Sequence, residues 1–244
     1  MSGRTAARDA YSAVMHAAHV MWTEVIAGEH PHPQAARRLV SELIAIMSAD
    51  RATLMALASH QHTHARNDDH MVNVAALTLL QADAFGIGGP LLVDFGIAAL
   101  LHDIGKTRTP RAILDKPGRL DPDEVAIMQR HVLDGEQILR TTPGMPPLAA
   151  RVAFEHHLRQ DGSGYPTGLE PRRLNVCTSM VVVADVFDAL RANRPYREGL
   201  DTLDVHDIMN DADACTFDPH LLRHFVDMLN RSLHPPHAVA LKLS

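Results

Sequence analysis

Apolar residues recur every three or four positions through most of this chain, which is the spacing of one face of an α-helix. A first helix is predicted over 4–27, ending at Gly28. A second is predicted over 34–58, after the proline-rich segment 30–33, on these helically spaced apolar positions: Leu39, Val40, Leu43, Ile46 and Met47. Because a short linker joins the two, we expect an N-terminal helical hairpin.

The remainder of the chain keeps this pattern, and no segment alternates between apolar and polar residues as a half-buried strand would. Further helices are predicted over 68–85, 91–104, 121–140, 148–157, 175–192, 203–209 and 219–229. The segment 91–104 is apolar nearly all round and should be buried, with Gly105 ending it. Asp121 and Pro122 are a typical helix start. The predicted fold class is all-α.

Composition limits the classes of function. The chain has 244 residues, of which 46% are hydrophobic, enough for one large domain or for a domain with an N-terminal extension. The formal net charge of −6 argues against binding to nucleic-acid polymers, which requires a basic surface. No apolar run approaches the roughly 20 residues of a membrane span, and no signal peptide is recognisable. We therefore expect a soluble, cytoplasmic protein.

Candidate chemistry begins at His102 and Asp103, which end the apolar segment 91–104. An ionised carboxylate in a buried helix is costly unless a cation or a donor compensates it. Successive helical residues point about 100° apart, so the aspartate could reach between two metal ions while the histidine holds one. Lys106 follows directly, and a lysine beside metal ligands suits a phosphate oxygen.

Other histidines and an aspartate stand at similar positions. His70 lies in the first turn of its helix, and His131 has Gly135 one turn later, which would leave room beside the imidazole. The pair at 156–157 ends a helix before a glycine-rich loop, and Asp185 interrupts an apolar run. Alone, each has an ordinary explanation, such as a surface histidine or a buried salt bridge.

Taken together, seven residues offer nitrogen and oxygen ligands without a thiolate: His70, His102, Asp103, His131, His156, His157 and Asp185. Such a set suits two hard or borderline ions, with iron favoured and manganese as the alternative. It is richer than one tetrahedral zinc ion requires. Two metals bridged by a carboxylate can activate a water molecule and hold a phosphodiester for in-line displacement.

The ordered motifs of the segment 68–229 are specific as a series. They are His102-Asp103-Ile104-Gly105-Lys106, then Ile113-Leu114-Asp115-Lys116-Pro117-Gly118, His131 with Gly135, His156-His157, Asp161-Gly162-Ser163-Gly164-Tyr165-Pro166, Ala184-Asp185-Val186-Phe187-Asp188-Ala189-Leu190 and Arg194-Pro195-Tyr196-Arg197. With these motifs the chain resembles the HD-GYP family of cyclic-di-GMP phosphodiesterases.

The resemblance implies an HD-type helical bundle with metal ligands at the seven positions above. It also implies phosphate or guanine contacts from Lys106, Tyr165, Arg194 and Arg197. Asp103 and Lys106 would be catalytic, and a metal-bridging hydroxide would attack c-di-GMP to give pGpG, with GMP as a further product.

Two positions depart from the family pattern. Leu158 stands where the family usually has a glutamate after the histidine pair, and we expect its effect to be on the surroundings of the metals. Arg66 stands where members with a third metal have a glutamate. Because an arginine cannot ligate a cation, a binuclear site is predicted.

The predicted domains are an N-terminal helical region over 1–60, for dimerisation or regulation, and a catalytic domain over 61–244. Expected partners are c-di-GMP, a second copy of the chain through the N-terminal helices, and signalling proteins. Two alternatives to an active c-di-GMP phosphodiesterase stay open. One is a catalytically weak module that binds c-di-GMP or a partner protein. The other is a general HD-type nucleotide phosphohydrolase, which would not explain the Gly-Tyr-Pro loop or Arg194.

Overall fold

The computed structural model describes residues 2–60, 67–170, 172–192, 199–211 and 216–233. Within these ranges the chain forms one short 3₁₀ helix, Ile104–Arg108, and the following α-helices: α1 (Ser2–Ile26), α2 (Pro33–Ala49), α3 (Arg51–Ala58), α4 (Asn67–Ala84), α5 (Gly89–Leu100), α6 (Arg111–Leu114), α7 (Pro122–Gln129), α8 (His131–Thr141), α9 (Pro147–Glu155), α10 (Val176–Arg191), α11 (Thr202–Asp211) and α12 (Pro219–Leu233).

The all-α prediction is confirmed. The described residues contain no β-strand, and one isolated bridge pairs Leu158 with Gly164. None of the helices in these ranges is both long enough and apolar enough to cross a membrane.

One hydrophobic core runs through the molecule, with α4 at its centre. Every residue of α4 from 71 to 82 is buried, which fits a helix covered on all sides. It packs against α5, α10, α3 and α1. Helix α1 contributes Tyr11 and Trp22 to the same core, so the predicted N-terminal hairpin lies directly on the rest of the protein.

The prediction of a single helix over 34–58 is wrong, because the helix is interrupted at Asp50. The Asp50 carboxylate accepts hydrogen bonds from the backbone N–H of Thr53 at 3.0 Å and from its hydroxyl at 2.6 Å. This aspartate therefore caps a new helix, α3, instead of continuing α2.

The predicted helix over 91–104 also ends early, at Leu100. The His102 imidazole donates from Nδ1 to the carbonyl oxygen of Ala99 at 2.8 Å, and that oxygen would otherwise accept from the backbone of residue 103. His102 and Asp103 consequently lie in a turn, and Gly105 lies inside the 3₁₀ helix rather than ending α5.

The helix predicted over 121–140 is two helices. Asp121 forms the expected capping box with Glu124 at the start of α7. The helix is interrupted at Arg130, and α8 begins at His131, whose Nδ1 lies 2.7 Å from the carbonyl oxygen of Met128. The interruption separates exposed α7 from α8, which buries His131 and Gly135.

Candidate metal centre

Five parts of the chain bring the seven predicted residues together. His70 comes from the first turn of α4, His102 and Asp103 from the turn after α5, and His131 from the start of α8. His156 and His157 follow α9 directly, and Asp185 lies on α10. The ligating atoms form two groups, each within 4.8 Å: cluster 1 is Asp103, His131, His156 and His157, and cluster 2 is His70, His102 and Asp185.

The Asp103 carboxylate lies between the two clusters. Its Oδ1 is 3.3 Å from Nε2 of His131 and 3.5 Å from Nε2 of His156. Its Oδ2 is 3.5 Å from Nε2 of His102 and 3.8 Å from Nε2 of His70. One oxygen thus faces each cluster, which is the arrangement a bridging carboxylate needs.

Three of the five clustered histidines are held in the tautomer that suits metal binding. Nδ1 of His102, His131 and His156 each faces a backbone carbonyl oxygen, at 2.8, 2.7 and 2.9 Å respectively. A carbonyl can only accept, so Nδ1 carries the proton and the lone pair is on Nε2. Such outer hydrogen bonds are typical of metal-ligating histidines.

Two buried polar atoms at the centre support the same conclusion. Nε2 of His102 and Oδ1 of Asp103 are buried and find no hydrogen-bond partner among the described residues. Buried polar atoms without partners are rare and costly, and a cation in each cluster would compensate the atom that faces it. The residues present therefore fit divalent ions.

Electrostatics keep the two carboxylates ionised. Burial opposes the charge of Asp103, but Lys106 and His102 outweigh it and hold the pKa of Asp103 well below its usual range. Burial is likewise outweighed at Asp185, where the hydrogen bond from His70, with Nε2 and Oδ1 3.0 Å apart, lowers the carboxyl pKa. Both groups are thus negative at neutral pH and attract cations.

Lys106 and Tyr165 lie at the edge of the clusters. The Lys106 ammonium pairs with Oδ2 of Asp103 and is partly exposed. The Tyr165 ring stacks on His157 with centroids 4.5 Å apart and an interplanar angle of 27°. The predicted contacts Arg194 and Arg197, and Arg66, lie outside the described residues.

Two glycines let the 3₁₀ helix and α8 approach each other backbone to backbone. A Cβ at Gly105 would lie 1.9 Å from the carbonyl oxygen of His131 and 2.5 Å from the nitrogen of Gly135. A Cβ at Gly135 would meet the nitrogen of Gly105 at 3.3 Å. The prediction that Gly135 makes room beside an imidazole is wrong, because the space is filled by this backbone contact.

Leu158 is buried, with 6% of its surface exposed, and its backbone bridges Gly164. The Tyr165 backbone N–H donates to the carbonyl oxygen of His157 at 3.1 Å, which fixes the loop that places Tyr165 on His157. A Cβ at Gly164, where φ is +88°, would lie 2.3 Å from the same oxygen. Leu158 therefore occupies an interior position in a well-defined turn.

Glu155, just before the histidine pair, was missed by sequence reasoning. It is buried, and its carboxylate accepts from Asn175 Nδ2 at 3.0 Å and Thr178 Oγ1 at 3.1 Å, and pairs with Arg151 and Arg172. These bonds tie the end of α9 to the start of α10. The only sequence signal was a charge at a buried helical position.

Asp188 was also missed. It lies one turn after Asp185, on the same face of α10, and its Oδ2 accepts from Nδ1 of His70 at 2.7 Å. Its Oδ1 accepts from Nδ2 of Asn73 at 2.9 Å. Burial opposes a charge on His70, but its hydrogen bonds to Asp185 and Asp188 outweigh this and raise its pKa to about 10.

The sequence model of the HD domain matches residues 51–221. The chain belongs to the HD domain family, whose members bind divalent metals, in agreement with the His and Asp clusters described above.

Curated relatives confirm the resemblance to HD-GYP phosphodiesterases. The cyclic di-GMP phosphodiesterase PA4108 of Pseudomonas aeruginosa is 34% identical over 188 residues, covering 77% of this chain and 45% of that protein. The 3'3'-cGAMP-specific phosphodiesterase 3 of Vibrio cholerae is 38% identical over 161 residues, covering 66% of this chain and 35% of that protein. The chain thus spans less than half the length of these relatives.

The fold is shared with a solved structure, Bd1817, an HDG"Y"P protein of Bdellovibrio bacteriovorus. The TM-score is 0.75 at 18% identity, covering 93% of this chain and 72% of that chain. This coverage includes most of the N-terminal helices as well as the matched family segment.

Proposed function

We propose that the chain is a metal-dependent phosphodiesterase that hydrolyses c-di-GMP to pGpG, with GMP as a further product, at a centre of two divalent ions, iron or manganese. The observation that carries the proposal is the Asp103 carboxylate, which turns one oxygen toward each of two clusters of metal-binding side chains. A mononuclear site would not require a second group of His70, His102 and Asp185 on the far side of that carboxylate.

In this proposal His131, His156 and His157 would hold one ion, His70, His102 and Asp185 would hold the other, and Asp103 would offer one carboxylate oxygen to each. The bound ions would supply a nucleophilic water and neutralise the phosphodiester. The chain's own groups orient the substrate. The Lys106 ammonium pairs with Asp103 and could pair with a phosphate oxygen of the substrate instead. An ammonium suits such a change of partner because it binds as a point charge.

Tyr165 is proposed to position a guanine or a phosphate. Its ring is fixed on His157 by the turn that includes Leu158 and Gly164, so the ring has a defined location beside cluster 1. Burial, with the negative charges of Asp103 and Asp185, raises the pKa of Tyr165. The phenol therefore stays protonated and can donate to an anionic ligand. The roles of Arg194 and Arg197 are proposed from the resemblance alone.

The substrate is proposed to be a cyclic dinucleotide, and c-di-GMP in particular. The names of similar proteins include both c-di-GMP and 3'3'-cGAMP phosphodiesterases, and these substrates share the ring of two phosphodiesters and differ in one base. Parallel assays with both dinucleotides, at the same metal loading, decide between them.

The experiment that tests the proposal uses protein purified anaerobically and loaded with iron or manganese. We expect two ions per chain, by elemental analysis, and conversion of c-di-GMP to pGpG, by chromatography. Three ions per chain at full occupancy would contradict the binuclear site. Loaded protein that binds c-di-GMP without producing pGpG or GMP would instead support the binding module.

Asp103→Ala should abolish both metal loading and hydrolysis, because it removes the carboxylate shared by the two clusters. Asp94→Ala is the matched control, since Asp94 lies on α5 at the surface, where its carboxylate is 3.5 Å from Arg37. If Asp103→Ala keeps both properties, the site is misassigned. The cytoplasmic location, the homodimer through residues 1–60 and the signalling partners stay predictions.

A further inference from the structure

A chain of hydrogen bonds connects the N-terminal helix α1 to cluster 2. The Tyr11 hydroxyl donates to Oδ1 of Asn73 at 2.7 Å, and Nδ2 of Asn73 donates to Oδ1 of Asp188 at 2.9 Å. Oδ2 of Asp188 accepts from Nδ1 of His70 at 2.7 Å. Tyr11, Asn73 and Asp188 are buried, with 5%, 1% and 7% of their surface exposed. Three helices, α1, α4 and α10, thus meet in one polar relay inside the core.

Each bond in this relay has a fixed direction. The Asp188 carboxylate can only accept, so the Asn73 amide must turn its nitrogen toward Asp188 and its oxygen toward Tyr11. The phenol is the donor to that oxygen. Burial, with the charges of Asp188 and Asp69, raises the pKa of Tyr11 well above its ordinary value, so it keeps its proton.

The relay ends on the ring whose other nitrogen belongs to the metal centre. Because Nδ1 of His70 donates to Asp188, its Nε2 faces Oδ1 of Asp185 at 3.0 Å and Oδ2 of Asp103 at 3.8 Å. His70 is also the partly exposed histidine of cluster 2, whereas His102 is fully buried and is held by the carbonyl oxygen of Ala99. Of these two imidazoles, His70 depends on side chains for its orientation.

We propose that Tyr11 is a positioning residue for the metal centre: through Asn73 and Asp188 it orients His70 and so sets the metal affinity of cluster 2. Tyr11 lies outside residues 51–221 that match the HD domain, so the N-terminal helix completes a site that the rest of the chain supplies. The inference rests on the proposed function, because it requires His70 to ligate a metal.

The test is Tyr11→Phe in the full chain, which keeps the ring in the core and removes only the hydroxyl. Metal-free protein is titrated anaerobically with Mn²⁺, and free Mn²⁺ is followed by electron paramagnetic resonance. Replacing a direct outer-sphere partner of a ligand typically costs about 10–100-fold in metal affinity. Tyr11 acts two residues further out, so we expect about threefold to tenfold weaker binding of one ion. The other ion should bind as in the unmodified protein.

Val14→Ala is the matched control on the same helix. Val14 is buried in the core, with 2% of its surface exposed, and has no part in the relay. The control should lower the thermal unfolding temperature and leave both Mn²⁺ affinities unchanged. If it weakens binding as much as Tyr11→Phe does, the effect is one of general packing and the inference is overturned.

Asn73→Leu supplies a second test, because it cuts the relay at its centre with a side chain of similar size. It should weaken the same ion at least as much as Tyr11→Phe. The double variant should bind no more weakly than Asn73→Leu alone, since Tyr11 would act only through Asn73. If the losses of Mn²⁺ affinity in the two single variants multiply in the double variant, Tyr11 acts by another route.

His70→Ala separates failure of this inference from failure of the proposed function. It should remove one Mn²⁺ binding event. If it does, and Tyr11→Phe binds both ions within twofold of the unmodified protein, only the positioning role is overturned. If His70→Ala leaves both binding events intact, the metal centre itself is misassigned.

Discussion

Gly105→Ala is the perturbation for which the structure gives the sharpest expectation. The added methyl carbon would lie 1.9 Å from the carbonyl oxygen of His131, 2.5 Å from the nitrogen of Gly135 and 2.8 Å from the carbonyl carbon of His131. All three are backbone atoms, so no side chain can rotate away. Relief requires α8 and the 3₁₀ helix to separate by more than about 1 Å, given that interiors are close-packed at van der Waals distance.

Overpacking of a core typically costs about 1–3 kcal/mol, and a backbone clash belongs at the upper end. For a protein of 150–250 residues each kcal/mol lowers the melting temperature by about 2–4 °C, so we expect a decrease of about 6–12 °C. The metal centre should also suffer, because Nε2 of His131 is 3.3 Å from Oδ1 of Asp103, two residues before the substitution. The separation of α8 from the 3₁₀ helix would move the His131 imidazole away from the Asp103 carboxylate.

Differential scanning calorimetry of metal-free protein measures the first effect, and Mn²⁺ titration measures the second. Gly135→Ala is a graded control from the other side of the same contact, where the methyl would meet the nitrogen of Gly105 at 3.3 Å and Cβ of Ala153 at 3.4 Å. Alanine also has a higher helix propensity than glycine, so Gly135→Ala should lower the free energy of unfolding by less than about 1 kcal/mol. A Gly105→Ala protein that melts and binds metal like the unmodified protein would contradict this expectation.

Three further predictions follow from the site. Glu155→Ala should destabilise the protein by about 1–3 kcal/mol in urea denaturation, because it leaves the buried Thr178 hydroxyl and the half-buried Asn175 amide without this acceptor; an unchanged midpoint would contradict this role. Burial, despite the attraction of Asp103, lowers the pKa of His131 to about 4 from an ordinary value of 6.5. As the pH falls, this histidine is therefore protonated in the unfolded chain before it is protonated in the folded one. The free energy of unfolding of metal-free protein should decrease by on the order of 3 kcal/mol between pH 6.5 and pH 4, and by less in His131→Asn. An equal loss in the variant would assign the effect to other groups. Lys106→Ala should raise KM for c-di-GMP and leave two metal ions in place; loss of metal would show that the lysine holds the centre together.

The seven clustered residues could be predicted because they stand in an ordered series of motifs and because some of them place a polar group in an apolar segment. Asp185 is the clearest case, since it interrupts an apolar run on α10. Burial of a charge without compensation is costly, so such positions indicate a site from sequence alone. The place of Asp103 between two ions was expected from the sequence, but which of the other six residues share a cluster required the structure.

The helix boundaries near the site could not be predicted in the same way. Helix α5 ends at Leu100 because the His102 side chain takes the carbonyl oxygen of Ala99, and propensities do not register this competition. The role of Gly105 depends on an approach by residues 131–135, which are distant in sequence. A local side-chain bond decides the first case, and a tertiary contact decides the second.

The outer residues of the site differ in how far sequence could reveal them. Asp188 could have been found, because it is three residues after Asp185 and so shares its face of α10. The bond from Tyr11 to Asn73 joins residues 62 positions apart, and no periodic pattern indicates it. Contacts of this kind depend on how α1 docks on α4, which the sequence pattern leaves open.

The most direct test of the proposed activity is a single measurement. Protein loaded anaerobically with iron or manganese, with the ions per chain counted in the same sample, is incubated with c-di-GMP and the products are separated by chromatography. We predict two ions per chain and the appearance of pGpG, with both lost in Asp103→Ala. Fully loaded protein that leaves c-di-GMP intact would contradict the proposal.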